Sequence, residues 1–137
     1  MSKIAAFLQE LCPSASAEIH VDIGTTDDKR SAYEAGLGFY GKNTLLYHPE
    51  YGSWFFIGYV KTDLILPPDT PLETSCADCG MCENACPGNA LQNGRLEIEK
   101  CASHISQKKG GLTSRETEIL IKSGKIWGCD KCQTVCP

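Results

Sequence analysis

Two kinds of hydrophobic periodicity open the chain. Apolar side chains recur every three or four positions over residues 2–11, which predicts an amphipathic helix with Ser2 as its N-cap. The apolar positions of this helix are Ile4, Phe7, Leu8 and Leu11. Apolar and polar residues then alternate over residues 18–23, which predicts a half-buried strand.

The remaining pattern predicts further helices, one more strand and a linker. Residues 28–36 are typical of a helix, and the aromatic and β-branched run 53–61 predicts a buried strand. The proline-rich segment 66–71 indicates an extended linker. A Thr-x-x-Glu capping box at Thr113 opens a helix whose apolar positions are Ile119, Leu120 and Ile126. We therefore divide the chain into an α/β portion, residues 1–70, and a cysteine-rich portion, residues 71–137.

Composition narrows the class of protein. The chain has 137 residues, of which 42% are hydrophobic and 22% charged, as in a globular domain. A formal charge of -4 excludes a strongly basic nucleic-acid binder as a description of the whole chain. No apolar run is long enough to span a membrane, and the first residues do not resemble an export signal.

Nine cysteines are the strongest chemical signal in the sequence. Eight of them lie in the second portion, at Cys76, Cys79, Cys82, Cys86, Cys101, Cys129, Cys132 and Cys136. A disulfide scaffold, zinc sites and iron–sulfur clusters are the three alternatives. Cys12 lies outside any ligand spacing, and we interpret it as a small buried apolar residue.

The spacing of these cysteines favours iron–sulfur clusters. Cys76-x2-Cys79-x2-Cys82-x3-Cys86-Pro87 is the run of bacterial ferredoxins, in which the fourth cysteine binds the other cluster. The second run, Cys129-x2-Cys132-x3-Cys136-Pro137, lacks one cysteine of a full repeat, and Cys101 can replace it. This crossed pairing predicts a first set of Cys76, Cys79, Cys82 and Cys136, and a second set of Cys86, Cys101, Cys129 and Cys132.

Other candidate features have two interpretations each. Asp22 ends a strand, where α/β proteins place reactive groups, but a turn or cap aspartate is also common there. Trp54, Phe55 and Phe56 are more typical of a core than of a cofactor wall. Between residues 104 and 131 six basic residues accompany three acidic ones, which fits either a phosphate-binding face or an ordinary solvated surface.

Several strings together resemble the epoxyqueuosine reductase family. They are Val21-Asp22, Ala35-Gly-Leu-Gly-Phe-Tyr-Gly-Lys-Asn-Thr44, Gly52-Ser-Trp-Phe-Phe-Ile-Gly58 and Trp127-Gly-Cys-Asp-Lys-Cys-Gln-Thr-Val-Cys-Pro137. The resemblance implies a cytoplasmic enzyme with base-off cobalamin and two [4Fe-4S] clusters that reduces epoxyqueuosine to queuosine in tRNA. The implied fold class is α+β, a small α/β cobalamin-binding portion followed by a bacterial ferredoxin-like domain that holds two [4Fe-4S] clusters.

The same resemblance implies roles for individual residues and partners. Asp22 is the implied general acid. The implied cobalamin contacts are Asn43, Leu46, Ile57, Ser103 and Asp130. Electrons would pass from an external donor, such as flavodoxin or a ferredoxin reductase system, through the two clusters to cobalamin. The implied substrate partner is the tRNA anticodon region carrying epoxyqueuosine, and no membrane partner is implied.

The sequence departs from the family pattern beside Asp22. The family has a proline after its Val-Asp pair, whereas here Ile23-Gly-Thr-Thr-Asp-Asp28 follows, one residue longer. The thin first portion, and a sequence that stops at Cys136-Pro137 immediately after the last predicted ligand, favour a fragment of a longer enzyme. Two alternatives stay open: a ferredoxin-type electron-transfer module without cobalamin, and a corrinoid reductive enzyme that acts on a small molecule.

Overall fold

Residues 1–137 are all described by the structure, a computed structural model, and they fall into two compact units. Unit 1 comprises residues 1–39 and 46–74, and unit 2 comprises residues 40–45 and 75–137. The change of composition near residue 70 therefore lies close to a structural boundary, between Thr74 and Ser75. Nothing in the hydrophobic pattern distinguishes the short insert 40–45, which is grouped with the cysteine-rich unit.

Unit 1 is built on a two-stranded antiparallel sheet with two helices. Helix α1 spans Ser2–Leu11, strand β1 Ala17–Val21, helix α2 Asp28–Glu34 and strand β4 Gly58–Thr62. Strands β1 and β4 pair in a register that joins Ala17 to Thr62, His20 to Tyr59 and Val21 to Gly58. Two strands alone form a marginal sheet, so α1 packing on β1 supplies part of the support.

Helix α1 has the predicted bounds but not the predicted cap. Met1 occupies the N-cap position without a side-chain bond, and Ser2 is the first helical residue. Only Ala5 of this helix is buried, whereas Ile4, Phe7 and Leu11 are more than half exposed. The 3.6-residue period therefore indicates the element correctly, although its apolar face lies open within unit 1.

The strand predicted over residues 53–61 is wrong in its first half. The observed strand β4 starts only at Gly58, and residues 53–57 are irregular. Phe56 is 98% exposed and Trp54 is 64% exposed, so these aromatic side chains are not the core residues that we expected. The alternation over residues 18–23 also overestimates burial, because Ile19, Val21 and Ile23 are all exposed.

A short hairpin interrupts unit 1. Strands β2, Phe39–Tyr40, and β3, Leu46–Tyr47, form a two-stranded sheet around the insert 40–45. Within this insert the Gly41 amide donates to the Leu45 carbonyl and the Thr44 amide donates to the Gly41 carbonyl, both at 2.9 Å. The turn is therefore closed by its own backbone before its side chains make any further contact.

Unit 2 consists of short helices and turns around the cysteines. Its elements are α3 Met81–Asn84, β5 Leu91–Gln92, β6 Arg95–Leu96, a 3-10 helix Ile98–Lys100, α4 Ala102–Ser106, α5 Ser114–Ser123 and α6 Lys131–Thr134. Ala102, Ile105 and Ile119 form its hydrophobic core, and Leu120 and Cys129 pack against them. No helix of the chain has the length and apolar character that a membrane crossing requires.

Helix α5 shows the predicted capping box. The Thr113 hydroxyl accepts from the Glu116 amide, and the Glu116 carboxylate accepts from the Thr113 amide at 2.7 Å. The helix ends at Ser123 because Gly124 adopts a left-handed conformation with φ 65°. Ile126 therefore lies beyond the helix and is 97% exposed, contrary to its predicted place beside Ile119 and Leu120.

Candidate metal centre and candidate active site

All nine cysteines are free thiols in this structure. The first four of unit 2 lie on one short stretch in which positive φ angles at Asp78 and Gly80 fold the chain back before α3. Cys82 is buried on α3, Cys79 is exposed, and Cys76 and Cys86 are half-buried. The chain thus presents several thiols from one loop, as the ferredoxin spacing requires.

The second predicted set of thiols is brought together. Burial, together with smaller contributions from like charge at the neighbouring Cys129, Cys86 and Cys101, raises the pKa of the Cys132 thiol to about 11. These three neighbours are the other members of the predicted second set. Thiols from three segments of the sequence therefore lie near one another in unit 2.

A glycine allows two of these segments to approach closely. A Cβ atom on Gly88 would lie only 2.0 Å from the Lys100 carbonyl oxygen. Gly88 follows Cys86-Pro87, and Lys100 precedes Cys101, so this contact brings two predicted ligands near one another. The Ala90 amide also donates to Cys86 Sγ at 3.2 Å, a bond that stabilises a thiolate.

Only some members of the first predicted set of thiols can be grouped from their pKa values and helix contacts. Burial raises the pKa of Cys82, and Cys76 contributes a smaller increase through like charge. Helix α6, which precedes Cys136, contacts α3, which carries Cys82. The structure therefore groups Cys76 with Cys82, and it places the segment before Cys136 against the helix of Cys82.

The donor set fits clusters better than single metal ions. No three His, Cys, Asp or Glu side chains among residues 1–137 are arranged to hold one ion. Zinc would require four ligands at about 2.0–2.3 Å from one centre, whereas each thiolate of a [4Fe-4S] cluster binds a different iron. Eight thiols without other ligand types match the chemistry of two such clusters.

The insert 40–45 supports the cysteine segments, a role that the sequence does not reveal. Asn43 is 4% exposed, and its Nδ2 donates to the Cys132 carbonyl oxygen at 2.9 Å. Its Oδ1 accepts from the Leu45 amide at 3.3 Å. Lys42 forms an ion pair with Asp78, between Cys76 and Cys79, and this pairing raises the pKa of Lys42. The only sequence signal for this role is a polar residue inside a glycine-rich turn.

Asp22 lies at a strained turn beside a cavity in unit 1. Its φ is 66°, and the Ile23 amide donates across it to the Val21 carbonyl at 2.7 Å. A three-residue turn with positive φ is rare for a non-glycine residue, and such strain concentrates at functional sites. Asp22, Phe55, Phe56 and Ile57 line a cavity of about 380 Å³, so Ile57 shares this cavity with the aspartate.

The other predicted contact residues occupy varied positions. Leu46 in β3 is 3% exposed, and Asn43 is engaged with the peptide of Cys132. The Ser103 carbonyl accepts from Ser106 Oγ at 2.8 Å and from Gln107 Nε2 at 3.0 Å. Asp130 is exposed at the N-cap of α6 and makes no side-chain capping bond. Of the five predicted cobalamin contacts, only Ile57 lines the cavity beside Asp22.

The cysteine-rich part of the chain matches a known protein family. Residues 75–137 match the family described as a 4Fe-4S double cluster binding domain. The whole chain is 39% identical over 138 aligned residues to an epoxyqueuosine reductase of Listeria monocytogenes and covers 36% of that protein.

Solved structures show the same similarity. An epoxyqueuosine reductase with an epoxyqueuosine-modified tRNA-Tyr stem loop superposes with a TM-score of 0.87 at 36% identity, over 99% of this chain and 36% of that one. The Bacillus subtilis enzyme, with the loop of its catalytic aspartate swung out of the active site, gives 0.84 at 34% identity over the same shares. The chain is thus similar over its whole length to epoxyqueuosine reductases and spans about 36% of the length of the relatives it matches.

Proposed function

We propose that this chain forms part of an oxidoreductase that reduces epoxyqueuosine to queuosine in tRNA. The observation that carries this proposal is the strained Asp22 at a cavity that Phe55, Phe56 and Ile57 also line, in a chain that is similar over its whole length to epoxyqueuosine reductases. The double-cluster unit supplies an electron path, and the cavity supplies a place for an acid.

The reaction defines what these residues must do. Removal of the epoxide oxygen forms a carbon–carbon double bond, consumes two electrons and two protons, and releases water. Asp22 donates a proton to the oxygen as a carbon–oxygen bond breaks, and the second proton comes from solvent. Phe55, Phe56 and Ile57 form the apolar part of the cavity wall and orient the substrate ring against Asp22.

Two [4Fe-4S] clusters, when bound, supply one-electron transfer. Cys76, Cys79, Cys82 and Cys136 would hold the first, and Cys86, Cys101, Cys129 and Cys132 the second. The closeness of Cys132 to Cys129, Cys86 and Cys101 supports the second set directly. Burial around Cys82 and Cys132 limits solvent access, which is one of the ways a protein tunes the reduction potential of a cluster.

Base-off cobalamin, when bound, supplies the two-electron chemistry at carbon. The exposed Phe56 and the adjacent Ile57 offer an apolar surface beside Asp22 that suits the face of a large ring. Asn43, Leu46, Ser103 and Asp130 are the other proposed contacts. An external electron donor, such as flavodoxin or a ferredoxin reductase system, and the tRNA anticodon region, both in the cytoplasm, complete the proposed set of partners.

Asp22→Asn is the substitution that tests this function. In the cluster- and cobalamin-loaded protein, we expect a loss of epoxide reduction of at least 100-fold, as for removal of a general acid. Product is measured by mass spectrometry of an epoxyqueuosine-containing stem loop after a single turnover. Iron content must stay unchanged, and Asp69→Asn, an exposed carboxylate of the same unit, is the matched control. Full activity in Asp22→Asn contradicts the proposed role.

A second candidate function follows from the extent of the domain match. Because the double-cluster family covers only residues 75–137, unit 2 by itself also suits an electron carrier that needs neither cobalamin nor Asp22. Titration with hydroxocobalamin separates the two candidates. A carrier leaves the corrinoid spectrum unchanged, whereas the reductase shifts it to the base-off form.

A further inference from the structure

The loop that carries Asp22, residues 22–27, rests on the side chain of Tyr59. A Cβ atom on Gly24 would lie 2.2 Å from Tyr59 Oη, 3.0 Å from Cζ and 3.2 Å from Cε1. Gly24 is not among the residues with positive φ, so its backbone conformation would accept a side chain. The tyrosine, and not the turn itself, therefore requires a glycine at this position.

Tyr59 is held firmly beneath the loop. It pairs with His20 across strands β1 and β4, and the two rings stack with centroids 4.8 Å apart and planes 17° apart. Tyr59 Oη is buried and has no hydrogen-bond partner. His20 Nε2 lies 3.2 Å from Glu18 Oε1, but without hydrogen-bond geometry, so it supplies no competing anchor.

The contact at Gly24 acts on Asp22 through a very short stretch of chain. The Ile23 amide, between the two residues, is bonded to the Val21 carbonyl at the end of β1. At the other end of the loop, Asp27 caps α2 by accepting from the Arg30 amide at 3.0 Å. With both ends fixed, a displacement of Gly24 is transmitted to the turn at Asp22.

We propose that Tyr59 is a positioning residue that seats Gly24 and thereby sets the position of Asp22. The seated loop encloses an unpartnered hydroxyl, which water would solvate if the loop lifted away. The contact with Tyr59 therefore positions the loop, but burial of the unpartnered hydroxyl makes this loop conformation less stable. The catalytic consequence rests on the proposed function of Asp22, whereas the contact itself does not.

Opposite effects of two substitutions test this contact. Gly24→Ala should displace the loop, raising millisecond hydrogen exchange of amides 23–27 at least fivefold and lowering the single-turnover rate of epoxide reduction by a similar factor. Tyr59→Phe keeps the ring and removes the enclosed hydroxyl, so exchange in the same amides should slow. Both measurements use the cluster- and cobalamin-loaded protein.

The double variant Gly24→Ala/Tyr59→Phe separates a specific contact with Tyr59 Oη from a general disturbance of the loop by the added methyl group. Deleting Oη removes the 2.2 Å contact and leaves only the 3.0 and 3.2 Å contacts with ring carbons. We therefore expect it to recover most of the loop protection and rate lost in Gly24→Ala. Gly111→Ala, with open space around it, and Tyr51→Phe, on an exposed ring, are the matched controls.

Each outcome decides the proposal. Unchanged exchange in Gly24→Ala, or a double variant no better than Gly24→Ala, overturns it. If Gly24→Ala does not fold, Tyr59→Phe alone decides, and exchange that is unchanged or faster overturns the proposal. The predicted exchange pattern with an unchanged turnover rate supports the seating contact and contradicts the catalytic role of Asp22 instead.

Discussion

The two units of this chain bury their side chains in different ways. Unit 1 buries three alanines with Leu46 and Tyr47, while Ile4, Phe7 and Phe56 lie exposed. Unit 2 has a small core at Ala102, Ile105 and Ile119, with Cys129 packed against it and a second group of thiols around Cys132. We therefore expect the folded state of unit 2 to depend on its buried isoleucines and on its cysteines. In unit 1, where mostly small side chains are buried, truncation of a single side chain should seldom create a large cavity.

Removal of iron should produce the largest difference in stability between the two units. When a metal site exists only in the folded state, the free energy of metal binding adds to the free energy that stabilises the fold. Chelation of iron under anaerobic conditions should abolish hydrogen-exchange protection in α4 and α5, while protection in β1 and β4 changes less than twofold. Equal loss in both units would contradict this contrast.

Matched truncations of isoleucine sharpen the comparison. Ile105 is 1% exposed in the core of unit 2, whereas Ile4 is 51% exposed on α1 of unit 1. Ile105→Ala should lower the free energy of unfolding by about 2–5 kcal/mol, and Ile4→Ala by about 0.5 kcal/mol, as for a surface change. Denaturant unfolding of each variant measures the difference, and similar costs would show that α1 is covered.

Asn43 tests whether the insert 40–45 supports the cysteines. Asn43→Ala leaves the Cys132 carbonyl without its side-chain donor, at a cost of about 1–3 kcal/mol. Exchange of the α6 amides should rise accordingly, and iron should be lost more readily on mild chelation. The exposed Asn84→Ala is the control, and equal behaviour of the two variants would remove Asn43 from this role.

The capping box of α5 provides the smallest effect. Thr113→Ala removes one partner of Glu116 and should lower the free energy of unfolding by about 1 kcal/mol, seen as faster exchange in α5.

Hydrogen bonds from Lys108 and Thr113 lower the pKa of Glu116 to about 2. Because the folded pKa lies below the ordinary 4.5, the stabilisation is complete above pH 4.5 and is lost as the pH falls towards 2. The cost of Thr113→Ala should therefore be equal at pH 5 and pH 7, and a marked change between them would contradict this ionisation.

Local signals predict local structure well in this chain. The bounds of α1 and the Thr113 capping box follow from periodicity and cap chemistry, and both are confirmed. The match of residues 75–137 to a double-cluster domain confirms the interpretation of the cysteine run as an iron–sulfur motif. Each of these features depends on residues close together in sequence, where spacing and geometry are directly linked.

The sequence did not predict which apolar side chains are buried or which distant residues are in contact. Phe56 and Ile126 have the composition of core residues, yet nothing within their units covers them. The bond from Asn43 to the Cys132 carbonyl joins positions 89 residues apart, and no periodicity encodes it. The turn at Asp22, with φ 66°, likewise opposes the local propensity of a non-glycine residue.

The iron content of Cys101→Ser tests the central claim, two clusters held by crossed cysteine sets, most directly. After anaerobic reconstitution the parent should hold about eight irons and eight sulfides, the content of two cubanes. Cys101→Ser should retain about four of each, with the second cluster lost, while Cys12→Ser should match the parent. Iron in Cys101→Ser equal to the parent, or about two irons in the parent, would contradict the account.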